Sequence, residues 1–129
     1  MTLVRISFSE KGDFKRTEKW LKRCQKALDK GVFDKYGQRG VAALASATPV
    51  DSGTTAASWD YRIVVTSSGV NIEFLNTNIN KNVNIAIILQ YGHGTRNGGW
   101  VEGRDYINRA IDPVFTQLVR EVWKEVISL

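Results

Sequence analysis

Apolar and polar residues alternate at the start of the chain, where Val4, Ile6 and Phe8 stand between Arg5, Ser7 and Ser9. A period of two predicts a strand over Thr2 to Phe8 with one buried face. From Asp13 the period lengthens: Trp20, Cys24, Ala27 and Leu28 recur at helical spacing, while Lys15, Lys19, Lys22, Lys26 and Lys30 follow at steps of four, three, four and four. One helix therefore has an apolar face and a basic face. Gly31 offers an end, yet Phe33, Gly37, Val41, Leu44 and Ala45 resume the helical pattern as far as Pro49. An interrupted helical hairpin and one long bent helix both satisfy this pattern.

Pro49 and Gly53 mark a change of structure, because Thr48 before proline is driven toward extended backbone. Ser58 to Thr66 and Val70 to Leu75 then alternate with period two around Ser67-Ser68-Gly69, which predicts a hairpin. A third strand is expected over Val83 to Tyr91. Ile85, Ile87 and Leu89 fall on one side and Ala86 and Ile88 on the other, so the pattern puts it at the centre of the sheet. Between these strands every second residue from Asn76 to Asn84 is asparagine, a turn former that is depleted in strands. That segment reads either as a solvent-exposed loop or as an extended tongue contacting another subunit.

Residues 92 to 103 contain five glycines, Gly92, Gly94, Gly98, Gly99 and Gly103. They are expected to form a loop with little secondary structure of its own. Asp105 can cap a helix beginning at Tyr106, and Asp112-Pro113 repeats the cap-then-proline signature one short helix later. Ile107, Ala110, Ile111, Val114, Phe115, Leu118, Val119, Val122, Trp123 and Val126 give the last helix a wide apolar stripe, expected to lie on the sheet. The whole reads as an α+β single domain over 1–129: an antiparallel sheet of three to four strands with an N-terminal helical region and a C-terminal helix packed on it.

Composition narrows the function. No apolar run exceeds five residues, far below the roughly 20 of a spanning helix. No secretory signal is evident, and a single cysteine, Cys24, cannot form an internal disulfide, so a reducing cytoplasm is the default compartment. The net charge of +5 is uneven: residues 11 to 40 carry ten basic and four acidic side chains, a net +6, which leaves −1 for all the rest. The lysine stripe is either a solvated helix face or a surface drawn to a negative partner, DNA phosphate or an acidic protein. Trp20 falls on the apolar side of that helix, which disfavours single-strand recognition by stacking.

No catalytic, metal or cofactor set emerges. His93 is the only histidine, it sits between two glycines, and no serine stands in a nucleophile elbow. One His and one Cys fall short of a zinc site. Asp51 and Glu73 could pair in a magnesium nuclease, but no lysine follows Glu73 at the spacing such a site uses. Gly92-His93-Gly94-Thr95-Arg96 lacks the Lys-Ser/Thr ending of a phosphate-binding loop.

Three segments together resemble a known family. Ala47-Thr48-Pro49-Val50-Asp51-Ser52-Gly53, followed by Ser58-Trp59, is similar to the Pro-Val-Asp-Thr-Gly … Ser junction of tailed-bacteriophage head-tail joining proteins, also called tail-completion or neck proteins. Gln90-Tyr91-Gly92-His93-Gly94-Thr95 is similar to that family's strand ending in an aromatic, a glycine and a threonine. Gly103-Arg104-Asp105-Tyr106-Ile107-Asn108-Arg109-Ala110-Ile111 is similar to its arginine-aromatic start of the last helix. The likeness spans about residues 13 to 127. The chain departs from the family at Gln90, where an acidic residue is common, and at the inserted His93-Gly94.

The resemblance implies a structural virion protein without enzymatic activity or cofactor. It would form a homo-oligomeric, hexameric ring around the DNA channel at the neck or tail end, assembled in the host cytoplasm. Its partners would be other copies of itself, the head-side connector and the tail-tube protein, with non-specific contact to passing double-stranded DNA and none to membrane. A tail terminator is the alternative in the same class; a basic DNA-binding or nuclease accessory protein is the alternative in another. Within this reading Pro49, Asp51, Ser52 and Gly53 form a structural turn, in which Asp51 or Ser52 satisfies backbone donors and Gly53 can take positive φ. Interface candidates are Tyr91, His93, Thr95, Arg96, Trp100, Arg104 and Asp105. Trp100 either anchors in a partner's pocket or packs back over its own sheet.

Overall fold

A computed structural model describes residues 4–9, 22, 25–27, 29, 31–49, 53–66, 69–80 and 83–127. Lys15, Lys19, Lys30, Asp51 and Ser52 lie outside the described residues, as do Trp20, Cys24 and Leu28. The fold is α+β. Strand β1 (Val4–Ser9), the long strands β2 (Trp59–Thr66) and β3 (Gly69–Asn76) form one antiparallel sheet in the order β1-β3-β2. The expected hairpin is β2–β3, with Trp59 opposite Asn76 and Thr66 opposite Gly69. β3 is the central strand and is buried on both faces over most of its length.

Helix α1 (Val32–Ala47) crosses the inner face of the sheet. Gly31 precedes it at φ 73°, ψ 18°, a left-handed conformation that ends one helical path and lets another begin. Lys22, Gln25 to Ala27 and Asp29 are helical on the other side of this glycine, so the helical region is interrupted rather than continuously bent. α1 ends as the sequence requires. Thr48, extended before Pro49, donates both its N–H (3.0 Å) and its hydroxyl (2.6 Å) to Leu44 O. The same hydroxyl oxygen accepts from the Trp59 indole N–H at 2.9 Å, which fixes the start of β2 against the end of α1.

The contact with the sheet is close because α1 presents glycine there. A Cβ at Gly40 would run into the Phe74 ring, and one at Gly37 into the Tyr61 ring. Phe33, Leu44, Ile72 and Phe74 are fully buried around this crossing. Helix α4 (Tyr106–Ile127) runs antiparallel to α1: Lys35 pairs with Glu121 at 2.5 Å, Arg39 donates to Gln117 at 3.3 Å, and Ala43 and Ala47 lie beside Tyr106 and Ala110. These α1 positions stand about a quarter to a third of a turn from those facing the sheet. The C-terminal helix therefore rests chiefly on α1, beside the sheet-contacting face, where the sequence analysis placed it on the sheet itself.

Other expectations are corrected. Val83 to Tyr91 is not a strand: Val83–Asn84 (β5) pairs with Ile79–Asn80 (β4), and Ile85–Tyr91 is helix α3. A run that is apolar on all sides fits a buried helix as well as a buried strand, and here Ala86 and Gln90, four apart, are the buried pair. Asp112-Pro113 does not start a new helix; α4 continues through Pro113. The bond that proline forfeits is one to the exposed Arg109, where water can serve the carbonyl, while Ile111, Val114 and Leu118 bury on both sides of it. Residues 92 to 103 are not an unstructured loop, since Gly92–Gly94 (β6) pairs with Trp100–Glu102 (β7).

The asparagine segment is partly internal. Between α1 and β2 lies a single helical turn, α2 (Gly53–Ala56), whose Thr55 is buried. Asn76 Nδ2 donates to Thr55 O (2.8 Å), Asn78 Nδ2 to Thr55 Oγ1 (2.7 Å), and Asn84 Nδ2 to Asn76 O (3.1 Å). These amides pin the β4–β5 hairpin to α2, leaving Ile79 and Val83 exposed at its outer end. Gly53 opens α2 in the helical turn itself and not at the positive φ expected of it, and Pro49 is half-buried. On the sheet, the nearly buried Glu73 accepts from Arg62 Nε (2.6 Å) and Arg5 Nη2 (2.7 Å) across the β2-β3-β1 row. Arg62 first, then Arg5, holds its carboxyl below the usual range, against the opposing pull of desolvation.

Candidate functional site

Three stretches far apart in sequence contribute to one surface: 90–95 and 103–111 meet directly, and Ala47 at the end of α1 lies beside them. Gln90, buried at the end of α3, spends both ends of its amide on the start of α4: Oε1 accepts from Ile107 N–H (3.0 Å) and Nε2 donates to Asp105 Oδ1 (2.8 Å). Arg104 N–H donates to Leu89 O (2.9 Å), and the buried Tyr106 hydroxyl to Ala86 O (2.8 Å). Burial pushes the Tyr106 phenol up to about 12, so it stays neutral as a donor. The segment from Gln90 and the segment from Gly103 are thus locked together, with β6–β7 projecting between them. Ala47, at the end of α1, lies on the same surface. Ala43, Ser46 and Ala47 of α1 face Arg104, Asp105, Tyr106, Arg109 and Ala110 across an open cleft of about 670 Å³.

The backbone crossing at the base of the hairpin admits only glycine. A Cβ on Gly103 would meet Gly92 N at 2.5 Å, Tyr91 C at 2.6 Å and the Gln90 carbonyl oxygen. Gly92, at φ 85°, would meet Val101 O at 2.5 Å and the Trp100 ring at 2.9 Å if given a side chain. Trp100 therefore lies partly on Gly92 of its own hairpin and remains 60% exposed. Of the two expectations for this residue, packing back over its own sheet is met in part, at Gly92.

The sequence-derived candidates divide. Tyr91, Arg96, Trp100 and Arg104 are exposed. His93 is half-buried opposite Val101, with Nδ1 buried and without a hydrogen-bond partner among the described residues. Thr95 closes the hairpin turn, its Oγ1 accepting from Gly99 N–H at 3.0 Å. Asp105 is engaged within the chain and forms no pair with Arg104: the amide of Gln90 foremost, and those of Asn108, hold its carboxyl below the usual range, against a smaller desolvation effect. It does stand at the head of α4 as expected, although Ile107 N–H is capped by Gln90 instead. Of the basic stripe, Lys22 is exposed and Lys26 half-buried, while Lys35 and Arg39 of the same charged region are occupied by α4.

Ser46, Arg109 and the bridging role of Gln90 were not anticipated. The amide pattern requires glutamine here: a carboxylate at 90 can still accept from Ile107 but cannot donate to Asp105. Gln90→Glu would set two carboxylates at hydrogen-bond distance, raising the pKa of the pair. The variant is expected to melt below the parent at pH 7 and to recover as the pH falls to about 5, where the pair holds a proton. Equal melting differences at both pH values would count against this reading.

Among the described residues no three His, Cys, Asp or Glu side chains come together, and no helix is long and apolar enough to cross a membrane. Comparison with family models, curated proteins and solved structures finds no match to this chain.

Proposed function

We propose that this chain is a structural protein of a tailed-bacteriophage neck, completing the tail or joining it to the head as a homo-oligomeric ring around the DNA channel, without catalysis. One observation carries the reading. Residues 90–95 and 103–111, picked out by their likeness to one family, meet on an exposed surface where a cleft and a projecting hairpin adjoin, and Ala47 of the remaining segment lines that cleft. Segments that serve one interaction should be contiguous in the fold even when they are scattered in sequence. The surface offers small apolar residues, exposed aromatics and arginines, which suits protein contacts.

In this reading the neighbours are other copies, the head-side connector and the tail-tube protein, and the site of action is the virion neck after assembly in the host cytoplasm. The test is native mass spectrometry and negative-stain microscopy of the purified chain, alone and with tail-tube protein. Rings that cap tube ends are expected. A monomer that ignores tubes and binds duplex DNA tightly at physiological salt, or that cleaves DNA with magnesium and loses cleavage in Asp51→Ala, would overturn the proposal.

A further inference from the structure

The β6–β7 hairpin and the cleft beside it are complementary, and neither is satisfied within one chain. The hairpin is braced rather than loose. Thr95 N–H donates to Gly99 O (3.0 Å), Gly98 N–H to Thr95 O (3.1 Å) and Gly99 N–H to Thr95 Oγ1 (3.0 Å), while Gly98 at φ 78° supplies the left-handed step. On this frame Trp100 and Val101 are 60% and 45% exposed, and Glu102 is exposed with no ion pair among the described residues. Large apolar side chains held out by a preformed turn lose little conformational freedom on docking.

The cleft offers the opposite features. Ala43, Ala47 and Ala110 make a shallow apolar floor, and Arg104 and Arg109 stand at its rim with no side-chain ion pair among the described residues. The carboxylate of Asp105 is hydrogen-bonded to Gln90 and Asn108 and also feels the Arg109 charge, so the rim, with two guanidiniums against one carboxylate, keeps a net positive charge. Its volume, about 670 Å³, is within the ~300–1,000 Å³ range that encloses a bulky group. The chain's own Trp100 does not line it; the indole lies against Gly92 instead.

We propose that the β6–β7 hairpin of one copy seats in the α1–α4 cleft of the next, Trp100 on the alanine floor beside the Arg104 guanidinium and Glu102 against Arg109. The occupant is a second copy because one chain carries both an aromatic projection, with the Glu102 carboxylate two residues from Trp100 and Arg96 set apart in its turn, and an apolar recess rimmed by two arginines. An indole beside a guanidinium gains cation–π attraction, and the carboxylate neutralises the rim charge as water leaves. Knob and recess are different surfaces, so the contact is heterologous and propagates head to tail until it closes. The inference rests on the ring reading above and supplies its subunit contact.

Charge reversal tests it. Glu102→Arg, Arg109→Glu, their combination and Trp100→Ala are compared with the parent by native mass spectrometry and light scattering, with circular dichroism to verify folding. The parent is expected to be oligomeric, each single reversal monomeric, and the double reversal oligomeric again; Trp100→Ala is expected to weaken association at least tenfold. Oligomers that persist in all three single variants would overturn the docking and leave the neck reading standing. A parent that is monomeric yet captures tail-tube protein would do the same, whereas a parent that neither self-associates nor captures tubes would overturn both.

Discussion

Gly103→Ala is expected to lower stability by about 3 kcal/mol or more, a fall in melting midpoint of roughly 10–15 °C for a domain of this size. The new methyl would lie 2.5 Å from Gly92 N and 2.6 Å from Tyr91 C, and against the Gln90 carbonyl as well. All three are backbone atoms, so no rotamer change relieves the overlap. Relief requires the α3 end and the start of α4 to separate, which breaks the Gln90 bonds to Ile107 and Asp105 and the Arg104 bond to Leu89. Gly94→Ala is the matched control on the same hairpin, since its nearest neighbour would be Gly99 O at 3.9 Å. A thermal melt in which the two variants coincide would refute the account of the crossing.

Phe74→Ala should cost about 3–5 kcal/mol, a large share of the roughly 5–15 kcal/mol that holds a domain together. Phe74 is fully buried on the central strand, and its ring occupies the space opened by Gly40 in α1. The cavity cannot collapse easily, because helix and sheet are already at the distance a glycine allows. The same geometry reverses the usual effect of Gly40→Ala: a gain of about 1 kcal/mol in helix propensity is outweighed by about 1–3 kcal/mol of overpacking. Trimming the ring with Phe74→Leu in the Gly40→Ala background should recover part of that loss. Denaturant unfolding of the two single variants and the double measures the coupling, and strict additivity would show that the two residues do not share this space.

What the sequence revealed follows from where one periodicity acted alone. β1, β2 and β3 each alternate, and turn chemistry at 67 to 69 separates the last two, so strand identity and the β2–β3 pairing were legible, while the place of β1 beside a central β3 was not. The end of α1 was legible because Thr48-Pro49 permits only one local geometry. Residues 85–91 were not, since Ile85 to Leu89 is apolar in every direction and its true period shows only in the buried pair Ala86 and Gln90. Pro113 misled because its cost depends on whether the orphaned carbonyl meets water, a tertiary fact. The glycines from 92 to 103 signal flexibility when counted, yet Gly92 and Gly103 are there to let two backbones touch. Of the candidate surface, the exposed Trp100 was found by residue type and Arg104 by the motif around it; the alanine floor becomes visible only when α1 and α4 lie side by side, and the role of Gln90 only when α3 meets the start of α4.

The pairing of Lys35 with Glu121 and of Arg39 with Gln117 also sets a timetable. β1, α1 and the β2–β3 hairpin lie within residues 4–76, so the sheet and its first helix can meet before α4 has been synthesised. During that interval Tyr36 and the alanines of α1 have no cover. At ordinary elongation rates the remaining chain up to residue 127 takes roughly 3–10 s to appear. The cleft, one wall of which belongs to α4, is built last, so a nascent chain can fold its sheet without yet having a surface on which a neighbour could dock.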